Sequence, residues 1–147
     1  MEIDYKKTFI CDVKINGKYK QYIKDFKDEN HYENWVDWIG TRGGKVIGAR
    51  YIKITEESVD AFLNAKKFKK ANMEVEVLPN VTILKLYGNK IAYMYNDPER
   101  TLSITNCGWK TTTTKERLNA IPGVSIFQKN WQWYLNDKQW DGGLIDV

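Results

Sequence analysis

Few of the residues that announce chemistry are present in this chain. There is one histidine, His31, and there are two cysteines in 147 residues. Cys11 and Cys107 stand far apart and match no metal-ligand spacing, and the carboxylates a zinc site would need are not clustered. Two isolated thiols are expected to be buried and reduced, which suits a reducing compartment. Proline is scarce at three residues, and each marks a break rather than a linker. Long apolar runs are missing too: nothing approaches the roughly 20 residues that span a bilayer. Met1-Glu2-Ile3-Asp4 lacks the basic start and apolar block of a secretory signal. The expectation is an unexported protein with no membrane partner and no cofactor.

What is there suffices for a core. Hydrophobic residues make up 42% of the chain and aromatics 14%, which argues against global disorder. A chain of this length buries roughly 68–70% of the surface its unfolded form exposes and needs no staple. The net charge is +4, from 23 basic and 19 acidic residues. Weak basicity of this kind permits nucleic-acid binding without implying it.

Residues 8–15 alternate, with Phe9, Cys11, Val13 and Ile15 on one face, and read as a half-buried strand. Asn16-Gly17 is a strong hairpin signal because both turn positions favour positive φ. The return strand, residues 18–24, is rich in Lys and Tyr. Asp28 reads as an N-cap for a helix over 29–39, with Tyr32, Trp35, Val36 and Ile39 on its apolar face. Gly40, Gly43 and Gly44 stop it, and residues 45–54 form a strand. A second helix is expected from Thr55, with Val59, Phe62 and Leu63 on its apolar face, running into the Lys66–Lys70 cations that complement its negative end.

Beyond it come strands over 74–78, 81–87, 90–95 and 101–106, with Gly88-Asn89 as a second hairpin turn. Thr113 and Glu116 fit a capping box for a short helix from Thr114, ended by Pro122-Gly123. Strands over 124–128 and 131–135 flank a Lys129-Asn130 turn. The fold class is α+β, with antiparallel sheets and three helices. A ββαβ lobe over 1–54, a connecting helix over 55–72 and a β-rich lobe over 73–147 with one short helix make up the chain.

No constellation nominates a reaction. His31 has no evident partner group or electrophile, and a capping or packing role fits it better. Thr41-Arg42-Gly43-Gly44-Lys45 follows a helix and precedes a strand, with Val46 where a phosphate loop needs a hydroxyl. Thr111–Thr114 offers hydroxyls at a helix N-terminus, flanked by Lys110 and Lys115, although the capping box already uses Thr113. The aromatics are more informative. Trp131 and Trp133 are expected on one face of the last strand and Tyr134 on the other. Two of Trp109, Trp131 and Trp133 are expected in the core, and Trp140, in a polar tail, is the tryptophan expected in solvent. Residues 6–27 hold seven lysines (Lys6, Lys7, Lys14, Lys18, Lys20, Lys24, Lys27) against Asp12 and Asp25. Interleaved with Tyr19 and Tyr22, they form a candidate phosphate- and base-binding face. The following segment carries Asp28, Glu29, Glu33 and Asp37, which suits a protein surface of mixed potential equally well.

Two stretches carry a resemblance. DENHYENWVDWIGTRGGKVIGARYI resembles a segment of small tailed-bacteriophage proteins in which an aromatic helix meets a glycine turn. GWKTTTTKERLNAI with NWQWYL is similar to the C-terminal module of other such proteins. The resemblance implies a phage origin, hence the cytoplasm of a bacterial host, and no particular activity. The expectation is a non-catalytic phage accessory protein, inhibitor-like, that binds a host or defence-system macromolecule. Its candidate partner-binding residues are Lys18, Tyr19, Lys20, Tyr22, Lys24, Trp131, Trp133, Tyr134 and Trp140. A nucleic-acid-binding protein using the Lys/Tyr hairpin and a minor virion protein are the alternatives, and the oligomeric state stays open.

Overall fold

The computed structural model describes residue 3 and residues 7–147; Lys6 and most of the Met1–Asp4 segment lie outside them. The chain divides into two compact units, Met1–Lys53 and Ile54–Val147. Among the described residues there are three helices and twelve strands, every strand pairing being antiparallel. This is an α+β fold. No helix among them is long and apolar enough to cross a membrane.

In the first unit, β1 (Thr8–Ile15) is the central strand, between β2 (Lys18–Asp25) and β3 (Gly44–Tyr51), and α1 is Glu29–Thr41. Alternation along β1 turns Phe9, Cys11 and Val13 onto one side, where they close a core with Phe26, Trp35 and Ile39. Asp28 caps α1, its carboxylate accepting from His31 N at 2.8 Å. Gly43, at φ +74°, ends the helix with its N–H donated to the Gly40 carbonyl. Gly44 answers to packing: a Cβ there would lie 2.6 Å from Ile15 Cγ1 and 2.9 Å from Ile39 Cγ2. The bare backbone lets β3 start against the helix's last turn.

The second unit is built on a six-stranded sheet ordered β12-β8-β7-β6-β5-β4. Its strands are β4 (Phe68–Lys70), β5 (Met73–Val77), β6 (Val81–Leu86), β7 (Asn89–Tyr95), β8 (Leu102–Ile104) and β12 (Ile145–Asp146). Helices α2 (Ile54–Leu63) and α3 (Thr112–Asn119) share one core with it, together with a small sheet of β9 (Ile126–Lys129), β10 (Gln132–Leu135) and β11 (Lys138–Gln139). Phe62, Val75, Leu84, Ile104, Leu118 and Trp133 are among the buried side chains that fill it. On the opposite sheet face Tyr93 and Tyr95 stack, and Lys85 pairs with Glu76 at 3.2 Å. In the β7–β8 turn Asp97 accepts from Thr101 N and Oγ1, and these bonds to its charged form hold its carboxyl below the usual range.

Several elements differ from the sequence reading. The second helix ends at Leu63 and does not run through the lysines. Ala65 adopts φ +51° and Lys66 N donates back to the Ala61 carbonyl, which closes the helix with a left-handed turn. Lys69 then pairs across from Glu74 in a strand, where opposite charges fit. The third helix is capped by Thr111, whose Oγ1 accepts from Thr114 N at 3.1 Å, two residues ahead of the expected Thr113 cap. Glu116 is used elsewhere: its carboxylate accepts from Thr55 Oγ1 at 3.0 Å. Arg117 Nη1 donates to that Thr55 hydroxyl, tying α3 to α2 through a buried guanidinium. Cys11 is buried as expected, but Cys107 is exposed, its thiol directed at the Lys90 carbonyl.

Candidate functional site

The last hairpin takes its geometry from its turn. Lys129 pairs with Gln132, which leaves Asn130-Trp131 as a two-residue turn with φ +52° and +66°. Both positive values define a type I′ turn, whose second central position favours glycine. Trp131 therefore leaves the strand and stands at the tip, 89% exposed. This replaces the expected Lys129-Asn130 turn and separates Trp131 from Trp133. Trp133 points inward, 1% exposed, against Trp140 at 6.0 Å between ring centroids. On the outer side Phe127 pairs with Tyr134, the rings stacked at 5.1 Å and 9°. An apolar shelf and an indole thus share one hairpin.

Trp140 is the clearest correction. It is 5% exposed, not in solvent, and its indole N–H donates to the Gly143 carbonyl at 2.9 Å. β11 folds back on β10, Trp140 N donates to the Trp133 carbonyl, and the tail supplies the partner that a buried indole needs. Trp133 is likewise withdrawn from the binding surface. Trp109, which the sequence reading left among the core candidates, is 58% exposed instead.

Trp109 rims a cavity of about 320 Å³. Its apolar wall is Leu86 and Ile91, and Tyr87, 74% exposed on the β6–β7 turn, stands at its edge. Asn89, Asn106 and the Thr111–Thr114 segment bring the polar groups. Asn106, 2% exposed, organises the rim. Its Oδ1 accepts from Gly108 N at 2.8 Å and its carbonyl from Trp109 N at 2.9 Å. The hydroxyls of Thr111 and Thr114 bond each other at 2.9 Å. Outside the lining, the Cys107 thiol and the Tyr93 phenol both have their pKa raised, chiefly by desolvation. No local pattern pointed to this pocket, because its walls come from the β6–β7 turn, the β8–α3 loop and α3.

The basic hairpin of the first unit is split by its register. Cys11 pairs with Tyr22 and Val13 with Lys20, so Lys18, Lys20, Tyr22 and Lys24 share the helix-facing side of β2 while Tyr19 faces the other way. Several of these cations already sit over rings: Lys20 on Tyr22 at 4.8 Å, Lys24 on Trp35 at 5.7 Å and Lys14 on Tyr19 at 5.3 Å. Tyr22 is half-buried and meets Trp35 edge-on, which removes it as a stacking platform. Tyr19 remains exposed. His31 is occupied structurally, its Nδ1 accepting from Lys27 N at 3.0 Å and its ring edge-on to Phe26. Among the described residues no group of three or more His, Cys, Asp or Glu side chains is placed to hold a metal ion.

Neither the curated proteins nor the solved structures yield a match. A family model does match, over residues 51–144, a span that takes in nearly the whole second unit with its hairpin and cavity and leaves almost all of the first unit outside. That model is described as Kyanoviridae Gp96 protein, and since it covers more than half of the sequence, the chain belongs to this family of phage proteins.

Proposed function

We propose that this phage protein is a non-catalytic accessory factor that binds and modulates a protein of the host or of its defence machinery. The contact surface is the outer side of the β9–β10 hairpin. One observation carries this reading: the Trp131 indole stands in solvent on a turn residue with φ +66°. A bulky side chain there is disfavoured twice, by backbone strain and by exposed apolar area. Exposed aromatics beside an apolar shelf, here Phe127 and Tyr134, are the usual anchors of protein interfaces. Lys129 and Lys138 on the same small sheet add a polar rim.

The test is affinity capture from host lysate with the intact protein and with Trp131→Ala. A partner that the intact protein retains and the variant loses by about 2 kcal/mol or more is the expected result. Thermal stability should be unchanged or slightly higher, since the variant removes exposed bulk. Equal recovery by both proteins, or none above the bead control, would sink the proposal. The nucleic-acid alternative draws on Lys18, Lys20 and Lys24 sharing one side of an edge strand. It requires a DNA or RNA shift at low salt that fades steeply as salt is added; no shift at low salt removes it.

A further inference from the structure

We propose that the cavity between Tyr87 and Trp109 is a binding site for a flat, uncharged heteroaromatic ring, a nucleobase presented as a nucleoside. At about 320 Å³ it lies at the small end of the range of ligand pockets, roughly 300–1,000 Å³. Its wall, Leu86 and Ile91, is buried aliphatic surface. No Lys, Arg, His, Asp or Glu lines it. Moving a charged group from water into such a wall without a counter-charge is costly, which disfavours an anionic or cationic occupant. Two largely exposed rings stand at its mouth, and aromatic rings offered to solvent are the standard stacking platforms for bases.

The polar complement is specific. The hydroxyls of Thr111 and Thr114 are engaged with each other and with the helix cap. Thr113 and Asn89 line the cavity, and their side chains make no hydrogen bond within the described residues. A hydroxyl and a carboxamide each donate and accept, which matches the alternating donors and acceptors on a base edge. The Phe, Tyr or Trp side chain of a partner protein offers at most one such group. The ligand site is separate from the Trp131 hairpin in sequence and lies within the family-matched segment.

Titration of the full-length protein with adenosine, guanosine, cytidine and uridine, by calorimetry and tryptophan fluorescence, tests this. Saturable one-to-one binding of at least one nucleoside is expected. Trp109→Ala should weaken it about 10-fold or more, the loss of one stacking platform. Trp109 is mostly exposed, so the variant should fold normally, and Trp109→Phe should retain most of the affinity. Thr113→Val should narrow the preference among the four nucleosides, while Trp131→Ala leaves binding unchanged, which separates this result from the fate of the hairpin interface. Absence of saturable binding up to about 5 mM, an affinity far weaker than useful recognition, overturns the proposal. So does binding that ignores Trp109→Ala. Indole or p-cresol binding more tightly than every nucleoside in a Trp109-dependent way also overturns it, and makes the cavity a receptor for a protein side chain.

Discussion

Replacing Trp133 with alanine is expected to cost the second unit about 3–5 kcal/mol, the usual penalty for emptying a buried tryptophan site. The indole is almost completely enclosed, packs on Trp140 and lies beneath the Lys115 ammonium at 5.9 Å. With Ile126 and Leu135 it joins the small sheet to the shared core, so the cavity opens where the hairpin docks. A loss of that size is a large part of the stability of any domain, and it should lower the melting temperature of a unit this small by at least about 12 °C. Thermal unfolding of the whole chain, followed by amide signals of β6 and β7, measures it. A loss under about 1 kcal/mol would mean that the hairpin is not anchored by this residue. The contrast with Trp131 is part of the expectation. Two tryptophans two positions apart should behave oppositely: one holds the fold, and the other can be removed without structural cost.

Gly142→Ala is expected to destabilise the same unit by about 2–4 kcal/mol, combining overpacking with a left-handed backbone. Gly142 has φ +91°, and a Cβ on it would lie 2.0 Å from Asn106 Nδ2 and 2.4 Å from its Cγ. Asn106 has nowhere to retreat, since it is buried and its Oδ1 holds Gly108 N. The Gly142 carbonyl also accepts from Asn106 N and from the Thr105 hydroxyl, so a shift of the glycine backbone breaks bonds on both sides. Denaturant titration of the variant checks the cost, and nucleoside titration checks a second consequence. Because Asn106 sets the Gly108-Trp109 turn, displacing it should also lower affinity at the cavity. An unchanged melting temperature would show that the tail is not locked against Asn106.

Much of the fold is written in local pattern. The alternation of Phe9, Cys11 and Val13, the Asn16-Gly17 turn, the Asp28 cap and the glycine stop place every element of the first unit within a few residues of its observed bounds. In the second unit the strands expected over 81–87 and 90–95 stand at Val81–Leu86 and Asn89–Tyr95, with the two-residue turn on Tyr87-Gly88 in place of the expected Gly88-Asn89. Periodicity and turn chemistry, which act over a few residues, place the hairpin but not its register. The short strands β4, β11 and β12 were missed. Each is three residues or fewer and exists only because a neighbouring strand offers an edge.

The candidate site was less legible, and the reason is register. Moving the last turn by one residue, from Lys129-Asn130 to Asn130-Trp131, takes Trp131 out of the strand, because side chains alternate with a period of two. The same geometry in β2 put Tyr19 on one face and Lys18, Lys20, Tyr22 and Lys24 on the other. Trp140 was misread for a different reason: a polar neighbourhood in sequence says nothing about a tail that folds back onto β10. The sequence by itself determined the antiparallel α+β fold, the turns and the buried faces, since these follow from spacing and backbone preference. Only the tertiary structure decided which tryptophans meet solvent and that Tyr87, Asn89, Trp109 and Thr113 enclose one cavity, because those facts depend on strand register and on contacts between segments far apart in the chain.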